Sequence, residues 1–174
     1  MVFNLFKKDK SLHDLLTHKM REALDTEREL SKALPRMADA ASDPALKKGF
    51  SSRLEQTRNQ AGRLERAFES LGERPNADSD YVVRSLIDEG EEFSSIDNPA
   101  VRDAGLISGA RHIEDHEILM YQTMADWANE MGHNEAAKLF SETLKEEQET
   151  KKKLDHLAPD IYSEAHEVKE QKTE

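Results

Sequence analysis

Cysteine is absent from the 174 residues, which excludes disulfides, thiolate metal sites and cysteine nucleophiles. Glycine (7) and proline (5) are scarce, so turns are few and elements long, which argues against an all-β fold. Basic residues are in deficit: 25 Lys and Arg face 36 Asp and Glu, a net charge of −11. Phosphate contacts need a basic face, so nucleic acid is not an expected partner. No run approaches the roughly 20 apolar residues of a membrane span. In MVFNLFKKDK the lysines follow the short apolar start, the reverse of a secretory signal. Membrane association and export are therefore not expected, and a cytoplasmic setting is. Neither haem nor nucleotide is expected as a cofactor.

What is present is charge arranged with helical periodicity. Hydrophobic residues are 36% and charged residues 35%, a balance that suits amphipathic helices with wet outer faces. The pattern predicts a first long helix from an N-cap at Ser11 to Ala41, with Pro35 kinking it or weakening its last turns. "SDP" at 42–44 closes it and caps a second, Pro44 to Leu71, which Gly72 and Pro75 end. A short helix is expected from about Asp80 to Phe93. "DNP" at 97–99 opens a third long helix ending at Met131-Gly132, and a fourth runs from Asn134 to about Leu157–Pro159. The reading is a flexible N-terminus (1–10), one helical domain (11–160) and a charged, disordered or loosely docked tail (161–174) with almost nothing to bury.

Residues seven apart share a helix face. In the first helix Leu16, Ala23, Leu30 and Met37 form one row, and Met20, Glu27 and Leu34 its companion. The second gives Phe50, Thr57, Leu64, Leu71 and Leu54, Ala61, Phe68. The third gives Ala110, Glu117, Met124, Met131 and Ile107, Glu114, Tyr121, Ala128. The fourth gives Phe140, Glu147, Leu154 and Ala136, Thr143, Thr150, Leu157. Each stripe is apolar except near its middle. Glu27 and Thr57 are equidistant from the turn near residue 42, and Glu117 and Glu147 from the turn near 132. Antiparallel partners placed so lie side by side, and the polar positions converge on one layer of a helix bundle. A weak internal repeat agrees: Phe50-x3-Leu54-x2-Thr57-x2-Gln60 parallels Phe140-x3-Leu144-x2-Glu147-x2-Thr150.

Burying one unpaired carboxylate costs several kcal/mol or more, and neighbouring acids raise each other's pKa. Four acids in one layer need cationic company. A pair of Fe or Mn ions would supply it, held by Glu27, Glu114, Glu117 and Glu147, with Gln60, Thr57, Thr150 and Tyr121 as secondary candidates. Such sites pair one carboxylate from each of two helices with E-x-x-H from each of the other two. Helix two offers Thr57-x-x-Gln60 instead, helix four Glu147-x-x-Thr150, and His112 and His116 read as surface histidines. Alternatively Arg53, which shares a face with Gln60, or the nearby Arg58 could neutralise the acids in a buried ion-pair network with no chemistry.

"LDTERELSKALPRMADAASDPALKKGF", "RLEQTRNQAGRLERAFESLGERP", "VRDAGLISGARHIEDHEILMYQTMADWANEMGHNEAAKLF" and "TLKEEQETKKKL" resemble the YciE/YciF family of bacterial ferritin-like stress proteins, over about Leu12 to Leu157. The resemblance implies an all-α, ferritin-like antiparallel four-helix bundle with a short helix inserted between its second and third long helices. It also implies a homodimer related to rubrerythrin and the di-iron carboxylate proteins. Carried over by position, Glu27, Glu114, Glu117 and Glu147 would be the ligands, while Thr57 and Gln60 stand where rubrerythrin-like proteins have E-x-x-H. Two functions stay open. One is a stress-associated metalloprotein whose Fe or Mn pair acts on O2 or peroxide. The other is a non-catalytic dimeric bundle, or partner-binding module, whose polar layer is a metal-free ion-pair and hydrogen-bond network. Whether the protein is an enzyme, and which protein partner it has, the sequence leaves undetermined.

Overall fold

The computed structural model describes residues 10–168. Five helices follow in order: α1 (Leu12–Ala40), α2 (Pro44–Ser70), α3 (Tyr81–Ser94), α4 (Pro99–Glu130) and α5 (Asn134–His166). Their starts are local chemistry. Ser11, Asp43, Asp80 and Asn98 each accept a hydrogen bond from a backbone amide of the following first turn, and Pro44 and Pro99 sit where a helix needs no donor. Two helices end on glycine in the left-handed region, Gly72 (φ 71) and Gly132 (φ 73). Behind them Glu73 N–H reaches Phe68 C=O at 2.9 Å and His133 N–H reaches Ala128 C=O at 2.8 Å, the six-to-one bond that closes a helix end.

The four long helices form the bundle. α1 packs on α2, α4 on α5, α1 on α4 and α2 on α5, while α3 lies against α1 and α4. The α1–α2 turn sits beside the start of α4: the Asp103 carboxylate accepts from the Ser42 and Asp43 amides, and Arg102 donates to Ala40 C=O. α2 and α4 therefore run the same way, and every neighbouring pair of long helices is antiparallel. Residues 71–98, with α3 among them, make the return along the bundle. This is the single long crossover of a ferritin-like connection. Close approach of α3 to α4 depends on glycine: a Cβ at Gly105 would meet the Phe93 ring and Cβ at 2.7–2.9 Å.

Pro35 lies on the exposed face of α1, in a helix that runs to Ala40. One expectation changes. α5 does not fade at Pro159 but runs to His166, so residues 161–166 of the expected tail are helical, and Ile161 among them is buried. Ala158 and Ile161, each 2% exposed, join the core cluster of Leu154, and this burial outweighs the proline on the outer face. The expected flexibility of residues 1–9 and of 169–174 lies outside the described residues.

The apolar core is divided. One cluster near the α1–α2 turn joins Leu30, Leu34, Phe50, Ile107, Ile113 and Leu154. The other joins Leu16, Met20, Phe68, Tyr121, Met124 and Phe140. Between them lies a layer of buried polar side chains.

Candidate functional site

That layer is where the heptad rows place it. Glu27 on α1, Thr57 and Gln60 on α2, Glu117 on α4 and Glu147 on α5 are fully buried. Glu114 is 4% exposed and Arg53 5%. The predicted acids thus face inward from three helices at mid-height, and neither Glu27 nor Glu114 reaches out to solvent. Arg58 is exposed; Arg53 is the cation that enters the layer.

Arg53 organises the acids. Its Nε lies 3.1 Å from Glu114 Oε1, and its Nη2 donates to Glu117 Oε2 at 2.7 Å and to Glu147 Oε2. Nη1 donates to Glu147 Oε1 at 2.9 Å and to Gln60 Oε1 at 3.2 Å. Charge-assisted, forked bonds of this kind are the strong ones. The Gln60 amide donates to Glu147 and, at 3.0 Å, to Glu146, which Arg63 also grips at 2.8 Å. Tyr121 donates its hydroxyl to Glu27 Oε1. Thr150 takes no part: its hydroxyl bonds back to Glu146 C=O at 3.0 Å.

One guanidinium does not balance four carboxyls. Burial, with the charges of Glu117 and Glu147, holds Glu27 well above the usual glutamate range. Burial does the same to Glu114 against the pull of Arg53. Glu117 is pushed up to about 8, burial and the Glu147 charge outweighing Arg53. Burial and Glu27 raise the Tyr121 phenol. Burial alone would lower the pKa of Arg53, but Glu117, Glu114, Glu147 and Glu27 together hold it well above its ordinary value. All three glutamate shifts favour the protonated acids, which brings the layer closer to neutrality than four carboxylates around one guanidinium would be.

The donor set can be tested against a metal pair. Oxygens of Glu114, Glu117 and Glu147 lie within 4.8 Å of one another, close enough to share one ion, and Glu27 is outside that group. Among the described residues no donor reaches Glu27 Oε2, Glu114 Oε2, Glu117 Oε1 or Thr57 Oγ1. Against these stand the neutral Thr57 and Gln60 where a second carboxylate and a histidine would be needed, and a guanidinium already bonded to all three clustered acids. A dinuclear centre does not fit these residues.

A second polar group escaped the sequence reading. Asp80, the N-cap of α3, accepts from Thr26 Oγ1 at 2.9 Å and lies 2.6 Å from His116 Nε2. Asp25 accepts from the Asp80 amide and from Arg84 at 2.7 Å. Burial would raise the pKa of Asp80, but His116 and its hydrogen bonds hold it below the usual range. His116 is thus half-buried and pins α3 to α1 and α4, whereas His112 is exposed as expected. No local spacing signals this contact, since the partners are 36 and 54 residues apart.

Comparisons with known proteins agree with this architecture. A family model described as a domain of unknown function (DUF892) matches residues 11–167. Protein YciF of Escherichia coli (strain K12) is 36% identical over 151 residues, 86% of this chain and 91% of that protein. The crystal structure of the E. coli stress protein YciF superposes with a TM-score of 0.85 at 33% identity, covering 88% of this chain and 98% of that one. YcfI from Rhodopseudomonas palustris gives 0.83 at 34%, over 86% and 97%. A two-domain protein from Anabaena variabilis, containing DJ-1/ThiJ/PfpI-like and ferritin-like domains, gives 0.62 at 18% identity, over 95% of this chain and 41% of its own. This last likeness concerns the fold alone.

Proposed function

The chain belongs to the DUF892 family and has a helical-bundle fold shared with YciF and with a ferritin-like domain, and from that premise we propose a stress-associated, non-catalytic bundle protein with a metal-free polar core. The stress association rests on the description of YciF as a stress protein. The observation that carries the rest is Arg53. Its guanidinium lies 2.7–3.1 Å from Glu114, Glu117 and Glu147, so an ion drawn to those three acids must first displace a fixed charge. In this reading the layer fixes the register of α2, α4 and α5, because only one alignment pairs Arg53 with all its acceptors. Arrangement as a homodimer is part of the proposal and follows from the family resemblance.

A second reading has one observation in its favour: three carboxylate oxygens within 4.8 Å. Three acids of this kind suit a single hard divalent cation such as Mn(II) or Fe(II). The experiment is anaerobic loading with Fe(II) or Mn(II), desalting, elemental analysis and thermal melting. The expected result is metal far below stoichiometry and an unchanged Tm. A stoichiometric ion that raises Tm overturns the metal-free reading.

A further inference from the structure

Between α2 and α5, beside the cluster near the α1–α2 turn, lies a cavity of about 570 Å³, a volume that suits a small molecule. Leu34, Phe50, Ile113 and Leu154 stand among its largely apolar walls. Lys48 and Lys153 are exposed where they line it. At its inner side it meets the polar layer, through Arg53 and Glu114.

These two inner residues differ in what they can still offer. Arg53 donates four hydrogen bonds, two to Glu147 and one each to Gln60 and Glu117, and its Nε lies 3.1 Å from Glu114 Oε1, so the guanidinium is committed to the layer. Glu114 presents Oε1 to Arg53, while no N–H or O–H donor among the described residues reaches its buried Oε2, and the further hydrogen bond of Glu114, to the Glu147 carboxyl, needs a shared proton. A buried acceptor left unpaired costs roughly 1–3 kcal/mol or more. Water is poorly held against walls of Leu, Phe and Ile. A ligand with an apolar body and a donating head would satisfy both surfaces.

We propose that this cavity binds an amphiphilic amine, a primary alkylammonium whose chain lies along the apolar walls and whose head donates to Glu114 Oε2. Charge selects the class. The layer behind Glu114 offsets its four carboxyl groups with one guanidinium and bound protons, and an ammonium head can take the place of one of those protons whereas an anionic head cannot. A fatty carboxylate could instead turn its head outward to Lys48 and Lys153. Exposed lysines are solvated and screened, however, and each contributes little. That pose also leaves Glu114 Oε2 unpaired beneath a dry chain.

Calorimetric titration with n-decylammonium, decanoate and 1-decanol, each below its aggregation concentration, tests the proposal on the full chain. Decylammonium is expected to saturate at one equivalent and to bind at least about tenfold more tightly than the other two, as a charged hydrogen bond allows. Glu114→Gln should erase the preference over decanol. Gly49 lines the cavity and a Cβ there meets nothing within 4 Å, so Gly49→Trp should fill the space without displacing backbone and abolish binding. The proposal is overturned if decanoate or decanol binds as tightly, if Glu114→Gln keeps the preference, or if Gly49→Trp binds as wild type does. It is also overturned if decylammonium shows no saturable binding. Light scattering supplies a further check: a wild-type dimer that Gly49→Trp splits into monomers would mean that a second copy covers the groove, and the proposal fails. Gly49→Trp also keeps the test decisive should Glu114→Gln not fold.

Discussion

Arg53 is the side chain on which the polar layer turns. At 5% exposure it touches Glu114, Glu117 and Glu147 at once, and its removal strands acids that pair with no other cation among the described residues. Arg53→Ala is expected to cost about 3–5 kcal/mol in urea unfolding, the size typical of breaking a buried pair from one side. Arg53→Lys should recover only part of this, because an ammonium cannot fork to two oxygens of Glu147 while reaching Glu114. If Arg53→Ala melts like wild type, the guanidinium does not hold the layer. The acids themselves were legible from the sequence, since Glu27, Glu117 and Glu147 interrupt otherwise apolar rows. The row that carries Arg53 was less so. On α2 the buried line is Leu46, Arg53, Gln60, Ala67, whereas Leu54 and Ala61, chosen by hydrophobicity, are only half-buried. An arginine reads locally as solvent-facing, and the face shared with Gln60 offered Arg53 only as one of two alternatives; charges on α4 and α5 decide for Arg53 over the exposed Arg58.

Helix boundaries follow the same division between near and far causes. The starts of α1, α2 and α4 stand where Ser11, Asp43-Pro44 and Asn98-Pro99 announce them, because capping is decided within four residues. The end of α5 was misplaced because Pro159 is a local stop signal, whereas Ile161 is held by side chains from elsewhere in the fold. That difference is measurable. Ile161→Ala should cost about 2–5 kcal/mol, as deletion of a buried branched side chain does. A tail that were merely docked would lose next to nothing. The α3–α4 contact gives a second test, since Gly105→Ala forces a methyl against Phe93 at under 3 Å. Overpacking there should lower stability by roughly 1–3 kcal/mol despite the better helix propensity of alanine. Gly62→Ala, with nothing within 4 Å of the added carbon, should instead stabilise by about 0.5–1 kcal/mol.

For the whole molecule, a polar layer between two apolar clusters ties global stability to protons. Glu117 has a folded-state pKa of about 8 against an ordinary value of 4.5, and Glu27 and Glu114 are displaced in the same direction. The folded state therefore holds protons that the unfolded chain releases. The Glu117 contribution is full below pH 4.5 and is lost progressively as pH rises to about 8, and those of Glu27 and Glu114 are lost in the same direction. Urea midpoints are expected to fall across this window, and Glu117→Gln, which cannot ionise, should flatten the decline and overtake wild type at its upper end. A bound divalent ion would reverse the sign. Metal needs the carboxylates deprotonated, so metal-linked stability rises with pH as protons stop competing. The slope thus separates the two readings without any assay of activity. A metal-free layer weakens from acid to mild alkali, whereas a metal centre in metal-replete buffer strengthens, and a rising slope that chelator abolishes would assign the four acids to a cation after all.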